Sequence, residues 1–523
     1  MPFISKNERR MLEVISELTY VNPFLPERIA LERSLLGEHF HESRADWNVT
    51  AEINWDHPNV IRVVSEAEKL QLRIGEALKS GGAEPSTEET RLYIDLVLFL
   101  IYHRYRRQFD EMIEGEEGGV ISRKVPIWQN FWEDYQKAID LPGLSGADHK
   151  VAAHFFAGFF QVRRAFYHIF RSMIGGSRPM TQLRAQVWQS IFTHDMRRYS
   201  RLMHQRMQDM TCLITGPSGT GKELVARAIG LSRYIPFDTG SMQFAHDFSE
   251  TFFPLNLSAL SPTLIESELF GHKKGAFTGA LQDRAGWLEA CPAMGTVFLD
   301  EIGDITPEIQ VKLLRVLQQR VFNRLGDTQA LRFQGKIIAA TNRDLAREIE
   351  AGRFREDLYY RICSDRIVTP SLHEQIADNF DTLPRLVRHI AERLTTEDEA
   401  DGLAAEVMEW VEGRLGREYA WPGNVRELEQ CVRNILIRKE YHPHGASRAT
   451  SDAPFSNITG RMQSGDLPLD ELLQFYCSWI YAQSGNYQEA ARRLQVDHRT
   501  VKARVDQTLV EQFQQSQNSS TQR

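Results

Sequence analysis

The chain has 523 residues, too many for one hydrophobic core, so two to four domains are expected. Hydrophobic residues make up 42% and charged residues 25%, the ordinary balance of a soluble globular protein. A net charge of −8 excludes a protein that coats nucleic acid over its whole surface, but a small basic module stays compatible with it.

The five cysteines, Cys212, Cys291, Cys363, Cys431 and Cys477, are widely spaced and form no CxxC pair. They signal neither a zinc site nor a disulfide framework, and buried reduced thiols are expected. The opening residues "MPFISKNERRMLEV" lack the apolar core of a signal peptide. The most apolar run, "LYIDLVLFLIY" at 92–102, is too short to cross a bilayer and contains Asp95. A cytoplasmic protein with no membrane partner is expected.

Residues 1–180 are rich in helix formers and predict a mainly helical regulatory domain. Within it, "HFFAGFFQVRRAFYHIFRSMIGG" at 154–176 predicts an aromatic-rich helix whose default role is buried packing rather than ligand binding. His154 and His168 lie about 21 Å apart along such a helix and cannot share one metal. No acidic cluster with a lysine on an alternating sheet is present, so a phospho-receiver domain is not expected. A small-molecule sensor, a docking surface for a regulatory partner and a structural gate stay open.

Residues 185–440 alternate β-branched apolar runs, "TCLITG", "GTVFLDE" and "GKIIAATN", with amphipathic stretches, which predicts an α/β sheet. "GPSGTGKE" at 216–223 follows the first run and precedes "LVARAIG", the strand–loop–helix context of a P-loop. Gly216, Gly219 and Gly221 would let backbone N–H groups converge on phosphate oxygens at a helix N-terminus, with Pro217, Ser218 and Thr220 completing the loop. Lys222 would neutralise the β/γ-phosphates of ATP. Glu223 stands where the general pattern has the Mg2+-binding hydroxyl.

"VFLDEIGD" at 297–304 predicts a buried parallel strand whose end presents Asp300 for Mg2+ and Glu301 as general base for the attacking water. Asn342, ending "KIIAATN", could meet the γ-phosphate or position the water. Arg355 and Arg361 of "GRFREDLYYRI" read as a surface helix with salt bridges to Glu356 or Asp357. They become catalytic only at a subunit boundary. "WPGNVREL" at 421–428 reads as a turn and helix start presenting Arg426.

Residues 441–466 lack periodicity and predict a linker. Helical periodicity returns over 467–513, and 514–523 form a polar tail. "GNYQEAARRLQVDHRTVKARV" at 485–505 predicts helix, turn, helix, with Ala490, Leu494, Val496, Val501 and Val505 facing a small core. Arg492, Arg493, Arg499, Lys502 and Arg504 gather positive charge there, which suits double-stranded DNA. Arg499, Thr500, Lys502 and Arg504 are expected to face the groove.

Together, "GPSGTGKE", "LNLSAL", "ESELFGHKKGAFTGA", "FLDEIGD", "KLLRVLQ", "AATNRDL", "FREDLYYR" and "WPGNVREL" resemble the central domain of bacterial sigma-54-dependent transcriptional activators. These are the enhancer-binding members of the AAA+ ATPase superfamily. The resemblance covers roughly 185–440 and continues into a factor-for-inversion-type helix-turn-helix at the C-terminus. It implies a multidomain chain: an α/β P-loop subdomain at 185–370, a helical lid at 371–440 and an all-α DNA-binding domain at 467–513. It also implies an ATPase that remodels the closed sigma-54 RNA polymerase complex to an open one from an upstream, enhancer-like site.

Residue by residue, it makes Lys222 the phosphate ligand, and gives Asp300 and Glu301 to metal and water. Asn256 would be a switch on Glu301, Asn342 a sensor and Arg426 the lid arginine. Arg355 and Arg361 would be donated by a neighbouring subunit of a hexameric ring. Gly275, Ala276, Phe277, Thr278, Gly279 and Ala280 would form the loop that grips sigma-54, with the two glycines as hinges and Phe277 as the apolar contact.

The sequence departs from the family at Pro217, where glutamate is usual, and in "PSLHEQI" at 370–376, which replaces a more arginine-rich run. The segment before Asn256 is longer by about ten residues; Gln495 replaces a common glycine and His498 a common arginine. A DNA-bound regulator with a vestigial ATPase and an AAA+ remodeller of another target are the competing readings.

Overall fold

In the computed structural model the described residues are 4–42, 57–80, 85–117, 125–443 and 467–510, with single positions at 458, 462, 465 and 513. The chain divides into two compact units, Met1–Leu436 and Ile437–Arg523. The predicted linker at 441–466 and tail at 514–523 lie largely outside the described residues.

The first unit begins with helices α1 (Lys6–Tyr20), α2 (Pro26–Leu36), α3 (Pro58–Lys79), α4 (Thr87–Glu117), α5 (Ile127–Ile139), α6 (His149–Ser172), α7 (Arg178–Phe192) and α8 (Met196–Arg201). Their starts follow local chemistry. Ser5 and Glu8 form a capping box on α1, and Asp148 and Ser177 cap α6 and α7.

The apolar run 92–102 lies inside α4, where Leu92, Leu96, Val97 and Leu100 are buried among the other helices. Asp95 is buried there too, accepting from Ser16 Oγ (2.5 Å), Tyr20 Oη (2.8 Å) and Arg197 of α8 (2.9 Å). A carboxylate in an apolar helix is tolerated because three donors and a guanidinium replace its water. No helix among the described residues is long and apolar enough to cross a membrane.

The α/β part follows as β1 (Cys212–Thr215), α9 (Lys222–Gly230), β2 (Phe237–Asp238), β3 (Gln243–Phe244), β4 (Phe252–Asn256), α10 (Pro262–Phe270), α11 (Trp287–Ala290), β5 (Thr296–Asp300) and α12 (Pro307–Gln319). It continues with β6 (Val321–Asn323), β7 (Ala330–Arg332), β8 (Lys336–Thr341), α13 (Leu345–Glu350), α14 (Glu356–Ile362) and β9 (Asp365–Val368). Five of the strands form a sheet in the order β4-β5-β8-β1-β9, and every pairing is parallel.

The three apolar runs became β1, β5 and β8, buried on both faces as parallel strands require. Cys212, Ile214, Phe298, Ile338 and Ala340 point to one face, and Leu213, Val297, Leu299, Ile337 and Ala339 to the other. Pro254 sits in the edge strand β4, where a missing N–H is harmless.

The second of these faces is covered by α10, α12 and α14. The first is covered by α9 together with α6 and α7, through Phe166, Ile169, Leu183, Val187 and Trp188. The aromatic helix expected at 154–176 is therefore α6, and its buried side serves the sheet as well as the N-terminal bundle. The longer segment before Asn256 forms the β2–β3 ribbon. Phe237 and Phe244 of that ribbon pack on Phe156 and Phe160 of α6, with ring centroids 4.8 and 4.5 Å apart.

The lid comprises α15 (Leu372–Asp378), α16 (Thr382–Glu392), α17 (Glu397–Arg414) and α18 (Asn424–Arg438). The backbone N–H of Arg178, at the start of α7, donates to Asp378 of α15 (2.7 Å).

The second unit holds α19 (Leu469–Ser484), α20 (Tyr487–Leu494) and α21 (His498–Arg504). Ala490 and Val501 are buried, and Leu494 and Val505 pack against them. Val496, expected in this core, is 43% exposed, because it lies in the turn between Gln495 and the α21 cap Asp497. Gln495 has φ +56°, the left-handed conformation that explains why glycine is common at this position.

Asp95→Ala strands Arg197 and two hydroxyls and is expected to cost about 2–3 kcal/mol of unfolding free energy. Gln495→Gly relieves a left-handed side chain and should raise the stability of the second unit by about 0.5–1 kcal/mol. Denaturant titration of the full chain, followed by circular dichroism, checks both.

Candidate nucleotide site

The loop 216–221 leaves the end of β1 and turns into α9, whose first residue is Lys222. Lys222 is 7% exposed, and its Nζ donates to the carbonyls of Gly216 and Pro217, both at 3.2 Å. Burial pushes its pKa down, opposed by the nearby carboxylates of Glu301 and Asp300. Thr220 Oγ1 bonds the Pro217 carbonyl (2.9 Å) and Thr369 Oγ1 (2.6 Å), so the residue after β9 braces the loop.

The lid grips the same loop. Asn424 Nδ2 donates to the Ser218 carbonyl (2.9 Å), Arg426 to Ser218 Oγ (3.1 Å), and the Val425 N–H to the Gly219 carbonyl (3.1 Å). Gly219 has φ +78°, and a Cβ there would lie 2.4 Å from the Gly423 carbonyl. Only glycine allows the lid this close. Asn424, itself at φ +53°, also accepts from the Leu372 N–H (2.8 Å) and so joins α15, α18 and the loop. Sequence reasoning passed over it and Thr369, although "GNVREL" displays the asparagine.

Asp300 ends β5, paired in register with Asn256 of β4. Burial raises its pKa, and the adjacent Glu301 charge adds to the rise. Glu301 has φ +54°, a strained conformation of the kind found at functional sites. Its Oε2 accepts the backbone N–H of Asn342 (3.2 Å), so Asn342 meets Glu301 through its main chain. Asn256 Oδ1 is engaged with Ser258 (N 3.1 Å, Oγ 2.8 Å), and Asn256 and Glu301 share no hydrogen bond among the described residues.

Lys222, Asp300, Glu301, Asn342 and Arg426 thus converge. Arg355, at the N-cap of α14, pairs with Asp357 (2.7 Å), and Arg361 is exposed on α14; neither is hydrogen-bonded to these five residues among the described residues.

The segment 271–286 forms a closed surface loop. The Gly275 N–H donates to the Ala280 carbonyl (2.9 Å), and the Lys273 N–H to Leu325 of the β6–β7 turn (2.9 Å). Ala276 packs on Gly326 of that turn. Phe277 is half-buried against His272 (ring centroids 5.1 Å), Ala280 is buried, and Thr278, Gly275 and Gly279 are exposed. The large exposed apolar side chain of the loop is Leu281, at 81%, which sequence reasoning missed because it lies one residue past the motif.

In the second unit Arg499, Thr500 and Lys502 are exposed on α21, whereas Arg504 pairs with Asp470 of α19 (2.7 Å).

A parallel sheet with a glycine loop after β1, an acid pair ending β5 and a helical lid on the loop defines a P-loop nucleotide domain. Residues 191–368 match the family described as the Sigma-54 interaction domain, and residues 381–443 match the AAA+ ATPase lid domain. The transcriptional regulatory protein ZraR of Escherichia coli (strain K12) is 40% identical over 303 residues, 57% of this chain and 63% of that protein. The Nif-specific regulatory protein of Azotobacter vinelandii is 44% identical over 253 residues, 47% of this chain and 44% of that protein. The DNA-binding transcriptional regulator NtrC of Rhizobium meliloti (strain 1021) is 37% identical over 303 residues, 56% of this chain and 57% of that protein. The chain therefore spans less than two-thirds of the length of each.

A crystal structure of NtrX from Brucella abortus in complex with ATP aligns at TM-score 0.37 and 24% identity, covering 64% of this chain and 68% of that one. The chain carries a sigma-54 interaction domain followed by an AAA+ lid, homologous to the corresponding parts of these regulators.

Asn424→Ala removes the joint between the lid helices and the loop. Two lost hydrogen bonds should cost about 2 kcal/mol and weaken nucleotide binding, read by thermal melts with and without ATP.

Proposed function

We propose that this chain is a sigma-54-dependent transcriptional activator that binds upstream DNA and hydrolyses ATP to convert a closed sigma-54 polymerase complex into an open one. The observation carrying this reading is the convergence of Lys222, Asp300 and Glu301 under a lid-clamped P-loop, in the same domain as the surface loop 271–286.

In the proposed hydrolysis, Glu301 takes a proton from the attacking water as its oxygen bonds the γ-phosphorus and the β–γ bridging bond breaks. Lys222 leaves the loop carbonyls to meet phosphate oxygens, and Arg426 follows from the lid. The residues fit magnesium. Asp300 is a half-buried carboxylate whose pKa is raised by that burial and further by a like charge, an environment that a divalent cation would relieve. Magnesium would neutralise charge on the phosphate oxygens, with Asp300 as its protein ligand.

Asn256, engaged with Ser258, suits the released state of the expected switch on Glu301. Arg355 and Arg361, outside the site of their own chain, suit donation to a neighbour in a hexameric ring. Gly275, Ala276, Phe277, Thr278, Gly279 and Ala280 are the proposed sigma-54 contact. Withdrawing Phe277 from His272 would expose its ring.

The exposed Arg499, Thr500 and Lys502 suit a DNA groove on a helix-turn-helix, and Arg504 would join them on leaving Asp470. A cytoplasmic site of action follows from this role.

Phosphate release and promoter melting test the reading. Glu301→Ala should bind ATP and lose turnover by at least about a hundredfold. Thr278→Ala should keep turnover and lose open-complex formation. A wild-type chain without turnover at assembling concentrations supports a DNA-bound regulator with a vestigial core. Melting that survives Thr278→Ala overturns the loop assignment.

A further inference from the structure

The N-terminal helices line a partly open cavity of about 210 Å³, away from the P-loop. Its walls come from α1, α2, α3, α4, α6, α7 and α8, with Tyr234 from beyond the end of α9. Rings dominate the lining, among them Phe99, Tyr102, Phe155, Phe159, Trp188 and Phe192. An apolar cavity of about 150 Å³ holds benzene, so this one has room for a single substituted ring.

Among the polar atoms of lining residues, His103 Nδ1, Gln161 Oε1 and Trp188 Nε1 are buried without a hydrogen-bond partner among the described residues. Gln161 and Trp188 are only 1% and 2% exposed, so water does not readily satisfy them. Buried polar groups are ordinarily paired, and three orphans around one apolar cavity indicate a ligand that bonds to them. An indole N–H is a donor and an amide oxygen an acceptor, and a hydroxyl can pair with either.

The walls hold no net charge to match an ion. Arg28 and Glu32 neutralise each other. Burial pushes His103 down to about 3 and lowers His57, so both are neutral at ordinary pH.

Gln161 also works in a second direction. Its Nε2 donates to Tyr199 Oη (2.6 Å) and to the Ser232 carbonyl (2.9 Å). One turn on, Arg164 donates to the carbonyls of Leu231 (2.8 Å) and Arg233 (2.6 Å). These carbonyls lie at the C-terminal end of α9, the helix that begins with Lys222. One side chain therefore borders the cavity and holds the P-loop helix.

We propose that the cavity is a binding site for an uncharged, single-ring aromatic molecule bearing one hydroxyl or similar hydrogen-bonding group, and that occupancy is relayed through Gln161 to α9 and the nucleotide site. The relay rests on the nucleotide-binding role proposed above; the binding site does not.

Gly158 gives the test. It lines the cavity on α6, and a Cβ added there meets nothing within 4 Å. Gly158→Leu should therefore fill the space without disturbing the helix, which leucine favours over glycine. Calorimetry on the full chain would use 4-methylphenol, toluene and 4-methylbenzoate as probes. Saturable binding is expected for 4-methylphenol, binding weaker by several-fold to about tenfold for toluene, which lacks the hydroxyl, and none for the charged benzoate. Gly158→Leu should abolish 4-methylphenol binding with an unchanged or higher melting temperature. Gly402→Leu, at an exposed position of α17, should leave it intact.

Absence of saturation by 4-methylphenol, or equal binding by Gly158→Leu, overturns the site and marks the cavity as a packing void. The relay is read as a shift of at least about twofold in Kd for a fluorescent ATP analogue on adding 4-methylphenol, lost in Gly158→Leu. An unshifted Kd with the probe bound overturns the relay alone. A chain that binds the probe but no nucleotide overturns the proposed ATPase, and the relay with it, while upholding the site.

Discussion

The C-terminal end of α9 is where the helical region and the nucleotide domain become one body. A helix end leaves carbonyls unsatisfied and carries partial negative charge, and burying it without donors is costly. Here the guanidinium of Arg164, with Gln161 beside it, donates from α6 to the carbonyls of the C-cap Leu231 and of Ser232 and Arg233 just beyond it. α6 and α7 also cover one face of the sheet, and the β2–β3 ribbon reaches back to pack on α6. Separating the N-terminal helices from the α/β part would expose a buried cation, a helix end and a face of the sheet together.

At its other end α9 meets the P-loop, where the packing is equally close. Gly219 has no room for a side chain beneath the lid, and Asn424 and Arg426 bond directly to Ser218. Lys222 holds the carbonyls of Gly216 and Pro217, and the lid is bonded to the next two residues of the same loop. Loop and lid are therefore mechanically coupled within one chain. Glu301, strained at φ +54° and tied to the Asn342 N–H, couples the end of β5 to the end of β8 in the same way. The surface loop around Phe277 rests on His272 and on the β6–β7 turn.

Much of this was legible beforehand, for identifiable reasons. β1, β5 and β8 are central parallel strands, so their residues had to be apolar on both faces and stood out as runs. The glycine loop and the acid pair follow two of those runs directly. β4 and β9 do not stand out in the sequence as strands, because edge strands tolerate Pro254 and polar residues such as Asp365 and Arg366. The cover that α6 gives the sheet was hidden because an aromatic helix looks the same whether it packs on helices or on strands.

By itself the sequence determined the local chemistry: the P-loop, the order of its strands and acids, and the helical character of both ends, since these depend on residue type and short-range periodicity. Tertiary structure alone decided which distant residues meet. It placed Asn424 and Thr369 on the loop, Arg504 on Asp470, Asp95 on Arg197, and seven helices around an apolar cavity. Such contacts join residues far apart in the chain, and no short window of sequence contains both partners.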